Sequence, residues 1–222
     1  MHSISLASET DFDGWRKAAR TLALNEARPS DVTWSVRSDR PTTDPSLETA
    51  NGTFSVPAKF IELARVAILH RDGERFAILY RLLWRLRSHH ELLNLADDPD
   101  VALMTAMAKA VHRDMDRMHN SVRFREIGRE QKSHYVAWFE PEHHIVERAA
   151  PFFASRYADM PWSILTPDVC AHWDGHAVSI TTGVARTETP TADRLEEIWQ
   201  RHYAGIFNPA RLKTMHNEVH KK

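Results

Sequence analysis

The sequence predicts an α+β fold in which central helices are combined with antiparallel hairpins in a single domain over 1–222. Three observations carry this. Apolar residues recur at helical spacing from about 57 to 119. From 121 the period switches to two. Between two alternating segments stands Asp174-Gly175, a dipeptide suited to a hairpin turn.

HSISL at 2–6 alternates and reads as a short strand. Asp11 or Asp13 can cap a helix over roughly 12–25 by accepting N–H groups of its first turn. VTWSV at 32–36 alternates again. Residues 38–55 concentrate Ser, Thr, Asp and Pro and predict an exposed loop. Pro57 stands near the start of a helix whose inner face is Phe60, Leu63, Ala64, Ala67 and Ile68. A second helix, separated by Gly73, runs from near Asp72 to about Arg87 with the stripe Phe76, Leu79, Tyr80, Leu83 and Trp84. Arg75, Arg81 and Arg85 fall on the opposite face, expected to be solvated. A third helix follows Asp97–Pro99 and reaches about His119. Its stripe of Met104, Met107, Ala108, Val111, Met115 and Met118 predicts core packing, with a soft protein-binding surface as the alternative.

In SVRFREI, Val122 and Phe124 point one way and Arg123 and Arg125 the other. HYVAWF at 134–139 predicts a second strand, hairpin-paired with the first. A helix from Pro141 to about Tyr157 and a short strand at SILTP follow. CAHWDGHAVSIT at 170–181 predicts a two-residue type I′ turn pairing Trp173 with His176, Ala171 with Val178 and Val169 with Ile180. That register buries Trp173 and turns Cys170 and His172 to the other face. A last helix begins near Thr191, carries Leu195, Ile198, Trp199, His202, Tyr203 and Ile206, and stops at Asn208-Pro209. The tail at 209–222 is basic and helical in character.

Composition narrows the function. The chain is 42% hydrophobic and 27% charged, with seven tryptophans, which suits a packed core. Its formal net charge of -1 supplies no global field toward nucleic acid or membrane, so any anion-binding surface is local. A single cysteine, Cys170, excludes a disulfide framework and a cysteine-ligated cluster within these residues. The opening MHSISLASETDFDGW lacks the basic and apolar regions of a signal peptide, no apolar run is long enough to span a bilayer, and a cytoplasmic location is expected.

Two polar groups stand out. In WFEPEHHIVER, a helix starting at Pro141 places His143 inward, with Glu147 one turn on and within reach of its imidazole, and His144 toward the edge. The pattern supports most strongly a buried His143 held by Glu147. Two functional readings stay open: a metal held with a third ligand such as His112 or His172, and a phosphate at the helix start. No HExxH-type signature is present, and no metal is expected. HRDMDRMH at 112–119 resembles a kinase HRD only superficially, lacking its Gly-rich loop and DFG. The second group is basic: Lys109, Arg113, Arg117, Arg123, Arg125, Arg129 and Lys132. Arg123 and Arg125 on one strand face would sit about 7 Å apart, a spacing compatible with phosphates along a nucleic-acid strand. Acid–base pairing with Asp114, Asp116, Glu126 and Glu130 is the alternative. Tyr135, Trp138 and Trp162 are candidates for base stacking or for the core. A thiol nucleophile at Cys170, with His172 on the same face, is a further possibility for chemistry.

DFDGWRKAAR, VPAKFIELARVAILHRDGERFAILYRLLWRL, MAKAVHRDMDRMHNSVRFRE, WFEPEHHIVERAAPFFASRYADMPWSILTPD, AHWDG and YAGIFNPARLK together resemble a bacterial family of DNA-metabolism domains of unknown function. The resemblance covers nearly the whole chain, least at 38–55. In that family the domain stands alone or is fused, at its C-terminal side, to an iron–sulfur uracil-DNA glycosylase of the family-four or UdgX-like type. The stand-alone form accompanies a radical-SAM DNA-repair protein. The resemblance implies a DNA-repair setting and no defined reaction. This chain lacks the cluster cysteines and the uracil-excising motif, so no cofactor is expected in it. An iron–sulfur cluster is expected only in a fused glycosylase domain, into which 209–222 is expected to lead.

The sequence therefore predicts a DNA-repair accessory domain that binds DNA, uracil-containing DNA included, or a glycosylase domain in cis or trans, with a radical-SAM repair protein as a further partner and no membrane. The nucleic-acid-binding candidates are Lys109, Arg113, Arg117, Arg123, Arg125, Trp162, Arg211 and Lys213. The alternatives are an enzyme acting on DNA or nucleotides through His112, His143, His144, Glu147 and His172, and a protein-interaction module built on the methionine stripe.

Overall fold

The computed structural model describes residues 1–36, 52–127, 133–185, 197–199 and 213–214. It bears out the α+β class, with helices, antiparallel hairpins and parallel pairings together. The chain divides into two compact units, Met1–Arg113 and Asp114–Lys222.

In the first unit, β1 (His2–Leu6) and β2 (Val32–Val36) pair in parallel, His2 opposite Val32 and Leu6 opposite Val36. A parallel pair needs a crossover, and α1 (Phe12–Leu24) supplies it. Asp11 caps α1 as expected: its carboxylate accepts the Gly14 N–H at 2.8 Å and the Ala7 N–H at 3.1 Å. A Cβ on Gly14 would collide with that carboxylate, so the cap and the glycine require each other. Trp15 is buried, and its indole N–H donates to the Phe76 carbonyl at 3.2 Å. α2 (Ala58–Ala67) and α3 (Arg75–Leu86) bury the predicted residues, with Leu63 and Trp84 half-buried. The Tyr80 hydroxyl donates to the Ala27 carbonyl at 2.6 Å, and burial pushes its pKa up. Of the loop expected at 38–55, residues 38–51 lie outside the described residues; 52–55 are irregular and mostly exposed.

The α3 arginine face departs from expectation. Arg75 is 1% exposed. Its guanidinium donates to the carbonyls of Ile68 (2.7 Å), Asp72 (2.9 Å) and Glu9 (3.0 Å) and to the Glu9 carboxylate. Arg81 is bidentate to Asp100, and Arg85 bridges Asp98 and Asp100. Asp98 also caps α4 (Pro99–Ser121), accepting the N–H groups of Asp100 and Val101. Arg85 holds the Asp98 carboxyl below its usual pKa. These arginines join chain segments; none forms a bare solvated face. Along α4 the methionine stripe is core, with Met104, Met107 and Met118 buried and Met115 half-buried.

The second unit is built on a six-stranded sheet in the order β3 (Arg125–Ile127), β4 (His134–Trp138), β5 (Trp162–Leu165), β6 (Val169–Trp173), β7 (Val178–Thr182) and β8 (Lys213–Thr214). β4 and β5 are parallel and joined through α5 (Val146–Arg156); the other neighbours are antiparallel. α5 lies against β6 and β7. Phe153 of α5 meets Trp162 and Phe124 edge-on. The opposite face gathers Ile127, Val136, Leu165 and Cys170 with Ile198, Trp138 and Trp199.

Four local expectations change here. The strand predicted for SVRFREI is confined to 125–127, with 122–124 irregular. The helix expected from Pro141 begins at Val146. The β6–β7 loop spans four residues, 174–177, so Ala171 faces Ile180 and Trp173 faces Val178. Asp174 accepts the N–H groups of His176 and Ala177, and Gly175 takes φ 97°, so the turn dipeptide works inside a longer loop. The slip is two residues, so each side chain keeps its predicted face, although Trp173 is only half-buried. Of the last helix, 197–199 are helical, and 213–214 form a strand where helix was expected; the rest of 186–222 lies outside the described residues. Among the described residues no helix is long and apolar enough to cross a membrane.

Candidate functional site

The PEHH segment is a loop, and a carboxylate from α4 builds it. Asp114 is 2% exposed. One of its oxygens accepts the N–H groups of Glu142 (2.8 Å) and His143 (2.9 Å). The other accepts from the Arg117 guanidinium at 3.1 and 2.6 Å. Arg117 in turn donates to the Glu140 carbonyl at 2.9 Å and lies over the Phe139 ring. The HRDMDR segment thus bolts down 139–143, and the bolted loop delivers the chain to α5.

This arrangement keeps His143 buried, as expected, and changes the helical geometry assumed around it. His143 is buried in the loop, ahead of the helix that carries Glu147, so the two do not share the expected helical turn. His144 is half-buried and His112 is exposed on α4. His172 is buried in a separate network: its Nδ1 hydrogen-bonds Ser163 Oγ at 2.7 Å and its Nε2 Thr181 Oγ1 at 2.9 Å. Ser163, 1% exposed, also meets His134 Nε2 at 2.8 Å and accepts the Trp199 indole N–H at 3.4 Å. Burial lowers the His134 pKa to about 4, so this ring is neutral near pH 7. The network crosses four strands, and its central Ser163 hydroxyl is closed off from solvent. The contacts place His172 in the Ser163 network and His143 in the loop bound by Asp114. Among the described residues no three His, Cys, Asp or Glu side chains gather to hold a metal. Cys170 is buried and its pKa is pushed up to about 11, so it is a thiol without nucleophilic character.

The basic candidates also sort themselves. Arg117 is committed to Asp114. Arg123 turns back to the end of α4, donating to the carbonyls of Asn120 (2.7 Å) and Val122 (3.0 Å), and it precedes the strand instead of sharing a strand face with Arg125. Arg125 is exposed on β3, and Lys109 and Arg113 are exposed on α4. Trp162 is 0% exposed, packed among Phe124 and Phe153, so it cannot stack on a base. Lys213 lies in β8; Arg211 lies outside the described residues.

A surface the sequence reading passed over stands on α5. Its inner face is Val146, Ala149, Ala150 and Phe153; its outer face carries Arg148, Phe152 and Arg156, all exposed and four residues apart. Phe152 is 43% exposed and stacks on His119 of α4, ring centres 4.0 Å apart and 27° from parallel. Phe153 meets it at 87°. The His119 Nε2 is buried without a hydrogen-bond partner, and burial lowers the pKa of this ring. Among the described residues no carboxylate pairs with Arg125, Arg148 or Arg156. The signal was available: in ERAAPFFASR an aromatic sits midway between two arginines at a spacing of one turn.

A family model described as a domain of unknown function, DUF4130, matches residues 73–221. No curated protein and no solved structure matches the chain.

Proposed function

The chain belongs to the DUF4130 family of domains of unknown function, and from that premise we propose that it is a DNA-binding accessory domain that docks on the phosphate backbone through its second unit. The observation that carries the proposal is the outer face of α5, where Arg148 and Arg156 are exposed without carboxylate partners among the described residues and flank an exposed aromatic. A cation with no intramolecular anion is free to release a phosphate's counterions on binding. Arg125 on β3 adds a further exposed charge in the same unit. The family resemblance supports a DNA-repair setting, with a uracil-DNA glycosylase domain as partner in cis or trans; it supports no reaction for these residues.

Oligonucleotide binding by fluorescence anisotropy across a salt series tests this. Affinity is expected to fall linearly in log–log form as salt rises. Arg148→Glu/Arg156→Glu is expected to weaken binding at least tenfold and flatten the salt slope by about two. Binding that ignores salt, or that survives this double charge reversal, overturns the proposal.

A further inference from the structure

We infer that Phe152 is a stacking platform for an unpaired base, so that this surface selects single-stranded DNA over duplex. The inference rests on the DNA-binding reading and adds the form of the ligand. Phe152 is the one large apolar side chain of the second unit left exposed among the described residues. Its ring is held in place. His119 covers one face at 4.0 Å, and Phe153 fixes an edge at 5.2 Å. Phe153 is itself anchored against Phe124 and Trp162. An ordered ring with one face backed has only its other face to offer, and it needs little further ordering to use it. Every base has a π-face, so such a ring binds without regard to sequence.

The charges fit the same ligand. Arg148 and Arg156 lie one turn on either side of Phe152 on the exposed face of α5. The helical rise sets each about 6 Å from Phe152 along the axis, and the two about 12 Å apart, a span suited to the phosphates flanking one stacked nucleotide. None of the outward residues Arg148, Pro151, Phe152, Ser155 and Arg156 is acidic. Asp116 interacts with His119 from one turn back on α4, and Glu147 and Asp159 lie near in sequence. In a duplex each base face is covered by its neighbours, and a convex helix face with one aromatic reaches phosphates only. An unpaired base can turn onto the ring.

The test compares binding of the whole chain to a labelled single-stranded oligonucleotide, the same strand with one central abasic site, and the matching duplex, at fixed salt. The wild type is expected to prefer the single strand by about tenfold. Phe152→Ala is expected to weaken single-strand binding roughly 5- to 100-fold, the range for loss of one base–aromatic stack, and to leave duplex binding and the salt slope unchanged. Phe152→Tyr keeps the ring and is expected to retain the preference; its thermal melt, with that of the alanine variant, reports folding. Equal loss on single strand and duplex, or no loss on either, overturns the inference. If Arg148→Glu/Arg156→Glu abolishes binding while Phe152→Ala is silent, the basic surface stands and the platform falls. If Phe152→Ala changes only sedimentation, the ring belongs to a contact between copies of the chain, and the inference is likewise overturned.

Discussion

The arginines of α3 and those of α5 both recur at whole helical turns and end in opposite circumstances. Arg81 and Arg85 stand one turn apart on α3, and Arg148 and Arg156 two turns apart on α5. Asp98 and Asp100, at the start of α4, reach back to both α3 residues, and Arg75 is closed in by three carbonyls and Glu9. Around α5 no described carboxylate comes within pairing distance of Arg148 or Arg156. An arginine's role is set by the acceptors another segment brings to it. A helix projection, which shows only one segment, assigns both pairs to a solvated face. Unpaired surface charge adds little to stability, so an exposed cationic face around an ordered aromatic calls for a ligand more than a fold-level reason.

The largest expected effect is at Arg75. Arg75→Ala leaves the Ile68, Asp72 and Glu9 carbonyls without their donor, and should cost roughly 3–5 kcal/mol in denaturant unfolding of the first unit. Arg75→Lys keeps the charge but not the fork, and should recover less than half of that loss. A cost under about 1 kcal/mol for the alanine variant would break the contrast, because Arg75 would then behave as α5's arginines do. Next comes Asp114→Ala, which orphans the Glu142 and His143 N–H groups together with Arg117. Its expected cost is about 2–4 kcal/mol, with hydrogen exchange at amides 142 and 143 accelerated first.

Acid sharpens the comparison further, because the two units should weaken in different pH windows. His134 in the second unit has its pKa lowered to about 4 by burial. Its neutral form is the one the fold favours, so stability is full above the unfolded value of about 6.5 and is lost as pH falls toward 4. Asp98 in the first unit is held below the ordinary aspartate value of 3.8 by Arg85. Its contribution is intact above that value and is lost only as pH falls further. Amide exchange corrected for intrinsic rates should therefore rise in β4 and β5 between pH 6.5 and 4, before it rises at the α3–α4 junction. Simultaneous loss in both would contradict these assignments.

Much of this was legible in the sequence where a signal is local. Asp11 capping α1 and the apolar stripes of α2 and α3 rest on neighbours within a few residues, and each is found; Asp174-Gly175 does turn the chain, but inside a four-residue loop and not as the predicted two-residue turn. What depends on a distant partner was not legible. The helix after Pro141 starts late because Asp114, far back on α4, takes the Glu142 and His143 N–H groups and fixes the segment as a loop. Trp162 and Arg123 carry the right chemistry for nucleic acid and are spent elsewhere, one in the core and one on the end of α4. β5 is buried on both faces, so alternation could not say what lies on each side of Ser163. The α5 face was legible by spacing alone, since Arg148, Phe152 and Arg156 recur every four residues.

The smallest expected stability effect belongs to the surface with the largest expected effect on binding. Arg148→Glu/Arg156→Glu should change unfolding free energy by less than about 0.5 kcal/mol, since exposed charges with no carboxylate partner among the described residues contribute little, and the Arg156 contact with the Tyr157 ring is long at 5.9 Å. Glu147 and Asp159 lie near in sequence, so the reversal can add mild repulsion, though the packing of Val146, Ala150 and Phe153 against the sheet is untouched. Thermal melts of variant and wild type should then overlay while single-strand affinity drops at least tenfold. The contrast with Arg75 becomes a measured one. Removing a guanidinium that is surrounded by carbonyls costs folding and leaves the α5 surface intact in what remains folded. Reversing two that face solvent costs binding and leaves folding intact. If the double variant instead unfolds at a markedly lower temperature, α5's arginines carry structural partners of their own, and the division between joining and docking arginines no longer holds.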